Sequence, residues 1–281
     1  MVERDERLVY RTSDLMRGHF QVEEIVRINI GMVFIKWALK QDRLKTYCFE
    51  EEYFRDGQLL GDKLKFIANC VEECYPILKG VLLSLLPNRF EQELSDLNAI
   101  VSAFTLPDWE EYSSSELQRL FNALVMAADG QDDVYSTPES IRELMCRLIN
   151  PVENMYIADL FSGVGSCLTR VFEEYKSLNP ILYGEEINFD MFGISNMLFI
   201  INEVSNVQVG QRNVYTNSDA DFERFDNVLM DSPFALSVTI EDAPVYKYGL
   251  PSKSAADWAN YQIALSKLKP TGRVIATTSV G

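Results

Sequence analysis

The stretch from Met155 to Cys167, MYIADLFSGVGSC, constrains this chain more than any other. Met155, Tyr156, Ile157 and Ala158 form a short apolar run, the pattern of a parallel strand covered on both faces. Asp159 closes the run with a carboxylate. Gly163 and Gly165 follow, and glycine permits a positive φ or a close approach of backbone to a ligand. Leu168, Val171, Phe172 and Tyr175 then recur at the spacing of one helix face. Strand, acid, glycine turn and helix in that order place a ligand at the carboxyl end of a strand, against a helix amino terminus. Taken alone, the turn is equally a packing device, because Gly-x-Gly joins strands to helices in many α/β domains.

The residues downstream repeat the unit. Ile181 to Glu186 (ILYGEE) reads as a second strand ending in acid. Glu186 lies somewhat beyond the ~20 residues at which a ribose-binding acid usually follows a glycine turn. Phe189 to Ile201 is a strongly apolar helix, and Val207 to Val209 is a short strand leading to Asn213. Phe225 to Met230 (FDNVLM) predicts a fourth strand, which ends in Asp231, Ser232, Pro233 and Phe234. Trp258, Tyr261, Leu265 and Leu268 predict one helix face, and Gly272 to Thr278 a fifth strand. Alternating strands and helices imply a doubly wound, mostly parallel sheet. Just upstream of the first strand, Thr137 fits a helix cap, Pro138 the first helical position and Glu139 the first turn. Ile141, Leu144, Met145 and Leu148 predict the buried face of that helix.

Residues 1 to about 125 read as helical. Val22, Ile25, Val26, Val33 and Trp37 trace one apolar stripe, with Asn29 as its polar interruption. Asp14 fits the cap of an early helix, and Gly18 a place where it ends or bends. Leu64 to Leu86 is a second apolar-periodic region, broken near Pro76. Leu94 to Phe104 is a third, closed by Pro107. Ser113 to Ser115 before Glu116 predict a capped helix through Met126. The single histidine, His19, reads as a surface or capping residue rather than a base. The polar break DGQDD marks a boundary between a helical domain over residues 1–128 and an α/β domain over 129–281.

Composition narrows the setting. The chain has 281 residues, 47% of them apolar, enough for a real core. It has no apolar run of the ~20 residues a membrane span needs, and its amino terminus has no signal-peptide core. Five cysteines, an odd number with scattered spacing, fit the reduced thiols of a cytoplasmic protein better than a disulfide framework. With one histidine, a metal site is not expected. The formal net charge of −16 is unlike that of a protein that grips DNA unaided. Either nucleic acid is not the ligand, or a partner supplies much of the phosphate contact.

In order along the chain, YSTP, DLFSGVGS, YGEEIN with SNM, FDNVLMDSPF and YGLPSKSAADWANYQIALSKLKPTGRV resemble the DNA adenine-N6 methyltransferases. The resemblance is specifically to the modification subunit of type I restriction–modification systems. It covers most of residues 14–281 and is strongest from Tyr135 onward; Asp14 to Trp37 are similar to that family's opening helices. It implies a Rossmann-like class I methyltransferase domain behind a helical amino-terminal domain, with S-adenosylmethionine as cofactor and adenine in DNA as substrate. It further implies a specificity subunit, a second modification subunit and a restriction subunit as partners, with base-edge readout left to the specificity subunit. Tyr135, Ser136, Thr137 and Pro138 match the segment that holds the methionine end of the cofactor. Asp159, Phe161, Gly163 and Gly165 match the glycine-turn motif, Glu186 the acid on the ribose hydroxyls, and Asn213 a position near the cofactor's adenine. Asp231, Ser232, Pro233 and Phe234 match the catalytic tetrapeptide, normally N/D-P-P-F/Y.

The chemistry explains the residue types. The exocyclic nitrogen of adenine is a poor nucleophile because its lone pair is delocalised into the ring. An acceptor side chain and a backbone carbonyl on its two N–H groups favour a tetrahedral nitrogen and stabilise the positive charge that develops. An aromatic side chain stacks on the flipped base. The Pro-Cys pair that a cytosine-C5 enzyme needs is absent from this loop. Two departures from the family pattern stand out. Ser232 replaces the first proline of the tetrapeptide. In the glycine turn, Leu160, Phe161 and Ser162 stand where Pro, Ala and Cys are more usual, and Ser166 where a third small residue, often Gly, is usual. Two alternatives therefore remain open: a cofactor-binding scaffold with little turnover, and a methyltransferase acting on RNA, protein or a small amide. The family's sheet carries two further strands after the fifth, so the resemblance also predicts a domain that lacks its last strands.

Overall fold

A computed structural model of the chain describes residues 2–47, 60–85, 94–129, 137–216, 223–232, 244–251 and 256–278. The chain divides into two compact units, Met1–Ala128 and Asp129–Gly281.

The first unit is helical, with α1 Val2–Met16, α2 Val22–Leu39, α3 Leu60–Cys74, α4 Val81–Leu85, α5 Leu94–Phe104 and α6 Ser114–Asp129. Asp14 lies near the carboxyl end of α1 rather than at its cap, and Gly18, at φ +85°, follows the helix end. α2 is apolar on nearly every side and is buried accordingly, from Ile28 through Ile35. Its Phe34 packs near Trp37, Tyr75 and Phe121, with ring centroids 5.5–6.2 Å away. A reciprocal box opens α6: the Ser113 hydroxyl accepts from the Glu116 N–H, and the Glu116 carboxylate accepts from the Ser113 N–H. His19 Nδ1 lies within hydrogen-bonding distance of Asp96 Oδ1, 2.9 Å. Among the described residues no helix is long and apolar enough to cross a membrane.

The second unit is a five-stranded sheet, all pairs parallel, with β1 Tyr156–Asp159, β2 Ile181–Glu186, β3 Val207–Gln211, β4 Phe225–Met230 and β5 Leu268–Ala276 in the order β3-β2-β1-β4-β5. Its helices are α7 Glu139–Leu148, α8 Ser166–Tyr175, α9 Phe189–Ile201 and α10 Asp257–Lys267. β2, β4 and α9 occupy the ranges expected from their apolar runs, and β3 is longer than expected. β5 begins earlier than expected, at Leu268, which the helical spacing places on the preceding helix face, and ends at Ala276, short of Thr278. The two sheet faces carry separate cores. Met145, Leu168, Val171 and Phe199 cover Ile157, Leu182 and Leu229 on one face. Ile263 and Ala264 of α10 cover Ala158, Tyr183 and Val228 on the other. Strand order reverses between β1 and β4, and a crevice at the carboxyl ends of those strands is where open α/β sheets bind ligands.

Two predicted helix faces are corrected. On α10, Trp258 and Leu265 are exposed, and the buried face carries Asn260, Gln262, Ile263 and Lys267. These polar side chains have partners. The Tyr215 hydroxyl donates to Asn260 Oδ1 (2.7 Å), and Gln262 bonds the Tyr248 N–H and the Gly249 carbonyl. Lys267 Nζ lies 3.5 Å from Glu185 Oε1, with both side chains fully buried. On α7, Leu144 and Leu148 are exposed while Met145, Cys146 and Ile149 are buried, so the face is rotated by about one residue.

Candidate active site

The glycine turn is held on three sides. The Ser162 N–H donates to the Glu185 carbonyl (3.0 Å), tying the turn to β2. The Gly165 N–H donates to the Ser162 carbonyl (2.7 Å), closing the turn into α8. The Gly163 N–H donates to Glu186 Oε2 (2.9 Å). Gly163 and Gly165 have φ of +50° and +79°, a region that side chains disfavour.

The two glycines serve different ends. A Cβ on Gly165 would lie 2.5 Å from Phe199 Cζ and 3.1 Å from Ser195 Cβ, so glycine there lets α8 and α9 approach. A Cβ on Gly163 would meet nothing within 4 Å, so that side of the turn faces open space. Gly165→Ala is therefore expected to destabilise by about 2–4 kcal/mol, combining backbone strain with overpacking. Gly163→Ala, with strain alone, should cost about 1 kcal/mol. Urea denaturation of the two variants measures the difference, and equal losses would contradict this division of roles.

Three carboxylates meet at the strand ends. Asp159 ends β1, Glu186 ends β2, and Asp231 follows β4 directly. Asp159 is 3% exposed. Burial pushes its carboxyl up to about 7, and the charges of Asp231 and Glu186 push the same way, against one hydrogen bond from the Phe161 N–H (3.2 Å). Burial also raises the Glu186 carboxyl, opposed by backbone N–H groups, among them Asn188 at 2.6 Å and Gly163. The Cys167 thiol is held well above its ordinary value, by burial first and then by Asp159, so it is unsuited to act as a thiolate.

Asp231 is fixed from two directions. The Thr137 hydroxyl donates to its Oδ2, and the Thr277 hydroxyl to its Oδ1. Thr137 does not cap α7: Pro138 occupies the cap position, the helix begins at Glu139, and the Thr137 hydroxyl goes to Asp231 instead. Arg142 Nη1 donates to the Thr137 carbonyl (2.8 Å), steadying that segment. Asn213 lies just past β3, where its Oδ1 accepts from the Tyr215 N–H (3.0 Å). The Phe161 and Tyr215 rings, 6.4 Å apart, bring that loop beside the glycine turn. Ser232 is 6% exposed. Tyr135, Ser136, Pro233 and Phe234 lie outside the described residues.

The structure thus brings Thr137, Asp159, Glu186 and Asp231 together around the glycine turn, with Asn213 one loop away. Sequence reasoning missed Thr277, Arg142 and Tyr215. No motif marks Thr277, and only strand order sets the end of β5 beside Asp231. The arrangement offers a cluster of carboxylates at the strand ends, open space over Gly163, and a partly buried acceptor at Asp231.

Residues 120–279, more than half of the chain, match the family model described as N-6 DNA Methylase. The type I restriction enzyme MjaVIII methylase subunit of Methanocaldococcus jannaschii is 25% identical over 207 residues, 63% of this chain and 35% of that protein. The chain therefore spans about a third of the length of this curated relative. Among solved structures, the type I restriction–modification system methyltransferase subunit from Streptococcus thermophilus superposes with a TM-score of 0.66 at 16% identity, over 98% of this chain and 74% of that one. A chain from a structure concerning complex assembly and conformational transition of the type I R-M system superposes with a TM-score of 0.59 at 15% identity, over 93% and 61%. At these identities the superpositions bear on the fold.

Proposed function

The chain belongs to the N-6 DNA methylase family, and on that premise we propose that it methylates the N6 amine of adenine in DNA. The methyl donor is S-adenosylmethionine, and the chain acts as the modification subunit of a type I restriction–modification complex. The observation that carries this reading is the meeting of Asp231, at the end of β4, with Asp159 and Glu186 at the ends of β1 and β2.

The residues fit the cofactor. S-adenosylmethionine bears an ammonium and a sulfonium, and the strand ends offer two buried carboxylates, Asp159 and Glu186, both raised by burial. The YSTP segment would hold the methionine end, Asp159 and the glycine turn would lie under the cofactor, Glu186 would hold the ribose hydroxyls, and Asn213 would lie near the adenine. The open side of Gly163 lets backbone approach the ligand. Bound there, the cofactor supplies an electrophilic methyl group.

The chain's own residues prepare the acceptor. Asp231 accepts from one N–H of the target amine and the Ser232 carbonyl from the other, so the nitrogen lone pair is freed from the ring and positive charge is stabilised as it develops. Phe234 stacks on the flipped base. Ser232 is itself buried, so its carbonyl would act from a site largely shielded from water.

Glu186→Ala is expected to weaken S-adenosylmethionine binding by about 10–100-fold, the range for losing hydrogen bonds to a charged group. Calorimetry with S-adenosylmethionine and with NAD checks both the residue and the cofactor class. Tighter binding of NAD would refute the assignment.

The charge of −16 supports a division of labour in which a specificity subunit supplies much of the DNA contact, alongside a second modification subunit and a restriction subunit. The test is transfer of labelled methyl to unmethylated DNA, with and without the specificity subunit, followed by nuclease digestion. N6-methyladenine formed in the presence of the specificity subunit is the expected result. Label in RNA or protein but not DNA, or none in any acceptor, would overturn the reading.

A further inference from the structure

We propose that Thr277 is a positioning residue for Asp231, supplying at the side-chain end the rigidity that Ser232 does not supply in the backbone; this rests on the catalytic role given to Asp231 above.

Asp231 is the first residue beyond β4, and nothing in its own strand orients its carboxylate. Two hydroxyls do so, each on a different oxygen: Thr137 on Oδ2 from the segment before α7, and Thr277 on Oδ1 from the segment after β5. Thr277 is itself fixed. Its N–H donates to the Met230 carbonyl (3.1 Å), which continues the β4–β5 ladder one step past the paired strands. Its β-branched side chain is stiff at χ1. The hydroxyl is therefore delivered to Asp231 by the sheet and not by a flexible loop. A carboxylate has about four acceptor sites, so two threonine donors leave sites for a target amine and set the plane in which those sites lie.

Ser232 gives this clamp its purpose. Proline at that position would restrict Asp231 to extended backbone. Serine leaves that backbone freer, and the two hydroxyls then carry the orientation. Thr277 and Ser232 should consequently be coupled: the Thr277 hydroxyl should matter less once position 232 is proline.

Thr277→Val keeps the shape and removes the donor. With the specificity subunit present, its kcat for methyl transfer is expected to fall about tenfold, the worth of one well-placed hydrogen bond. Affinity for S-adenosylmethionine, measured by calorimetry, should be unchanged. Thr277→Ser should restore the rate, and Ser232→Pro added to Thr277→Val should recover part of it. A role in sheet stability alone would produce neither the split between kcat and binding nor the rescue by proline. A crystal structure of Thr277→Val decides the point independently of turnover: the Asp231 carboxylate should be rotated or split between two orientations. Wild-type kcat in Thr277→Val, or an Asp231 carboxylate unchanged in that structure, overturns the proposal. If the wild-type chain methylates no DNA, the function proposed above fails, and the crystal structure still decides whether Thr277 orients Asp231.

Discussion

Asp231→Ala is expected to lower methyl transfer to adenine by about 10²–10³ while leaving S-adenosylmethionine binding nearly intact. Removal of one preorganised group that stabilises developing charge typically has that effect. The cofactor is held by other residues in this reading. Losing the Asp231 charge also removes one of the influences that raise the Asp159 carboxyl, so Asp159 keeps its attraction for a cation. Single-turnover transfer and calorimetry on the same variant measure the two quantities separately. The bland alternative is that Asp231 only terminates β4 and gathers Thr137 and Thr277 around itself. Its loss would then lower stability without a selective loss of transfer, and full methylation by Asp231→Ala would remove the catalytic assignment.

Asp159→Asn is expected to stabilise the folded protein at pH 8 and to weaken cofactor binding there. Burial holds the folded-state carboxyl at about 7, against an ordinary value of 3.8. Between those values the native protein binds more protons at this site than the unfolded chain does. The contribution of Asp159 to stability is therefore present below about pH 4 and is lost as pH rises toward 7. At ~1.4 kcal/mol per pKa unit, the asparagine variant gains up to about 4 kcal/mol at pH 8 and little at pH 4. Glu186, raised in the same direction, leaves a residual slope in the variant. Binding should run the opposite way, because the ionised carboxylate attracts a cationic cofactor: wild-type affinity rises through pH 7, and the variant loses that rise. Urea denaturation and calorimetry at pH 4, 6 and 8 test both halves. An unchanged stability slope in Asp159→Asn would show that the carboxyl is not strained by burial.

Much of the α/β unit was legible because its signals are local. Short apolar runs ending in acid predicted β1, β2 and β4, and the Gly163–Gly165 turn predicted where α8 begins. The faces of α7 and α10 were misread for a common reason. Hydrophobic spacing assumes that polar residues face water, but Asn260, Gln262 and Lys267 are buried with partners on other elements. Leu144, Leu148, Trp258 and Leu265 kept the helical period and still point outward.

The amino-acid sequence by itself determined the elements, the parallel α/β class and the order in which the chemistry-bearing residues occur, since strand runs, glycine turns and acids at strand ends are properties of neighbouring residues. Only the tertiary structure decided which of those residues meet. The sheet order β3-β2-β1-β4-β5 sets Asp231 beside Asp159 and brings Thr277 to its carboxylate from 46 residues away, while the segment before α7 brings Thr137 to the same carboxylate from 94 residues away. No local pattern encodes such a meeting, because it follows from hydrogen-bonded strand pairing and from burial. Burial, in turn, is what raises the Asp159 carboxyl to about 7.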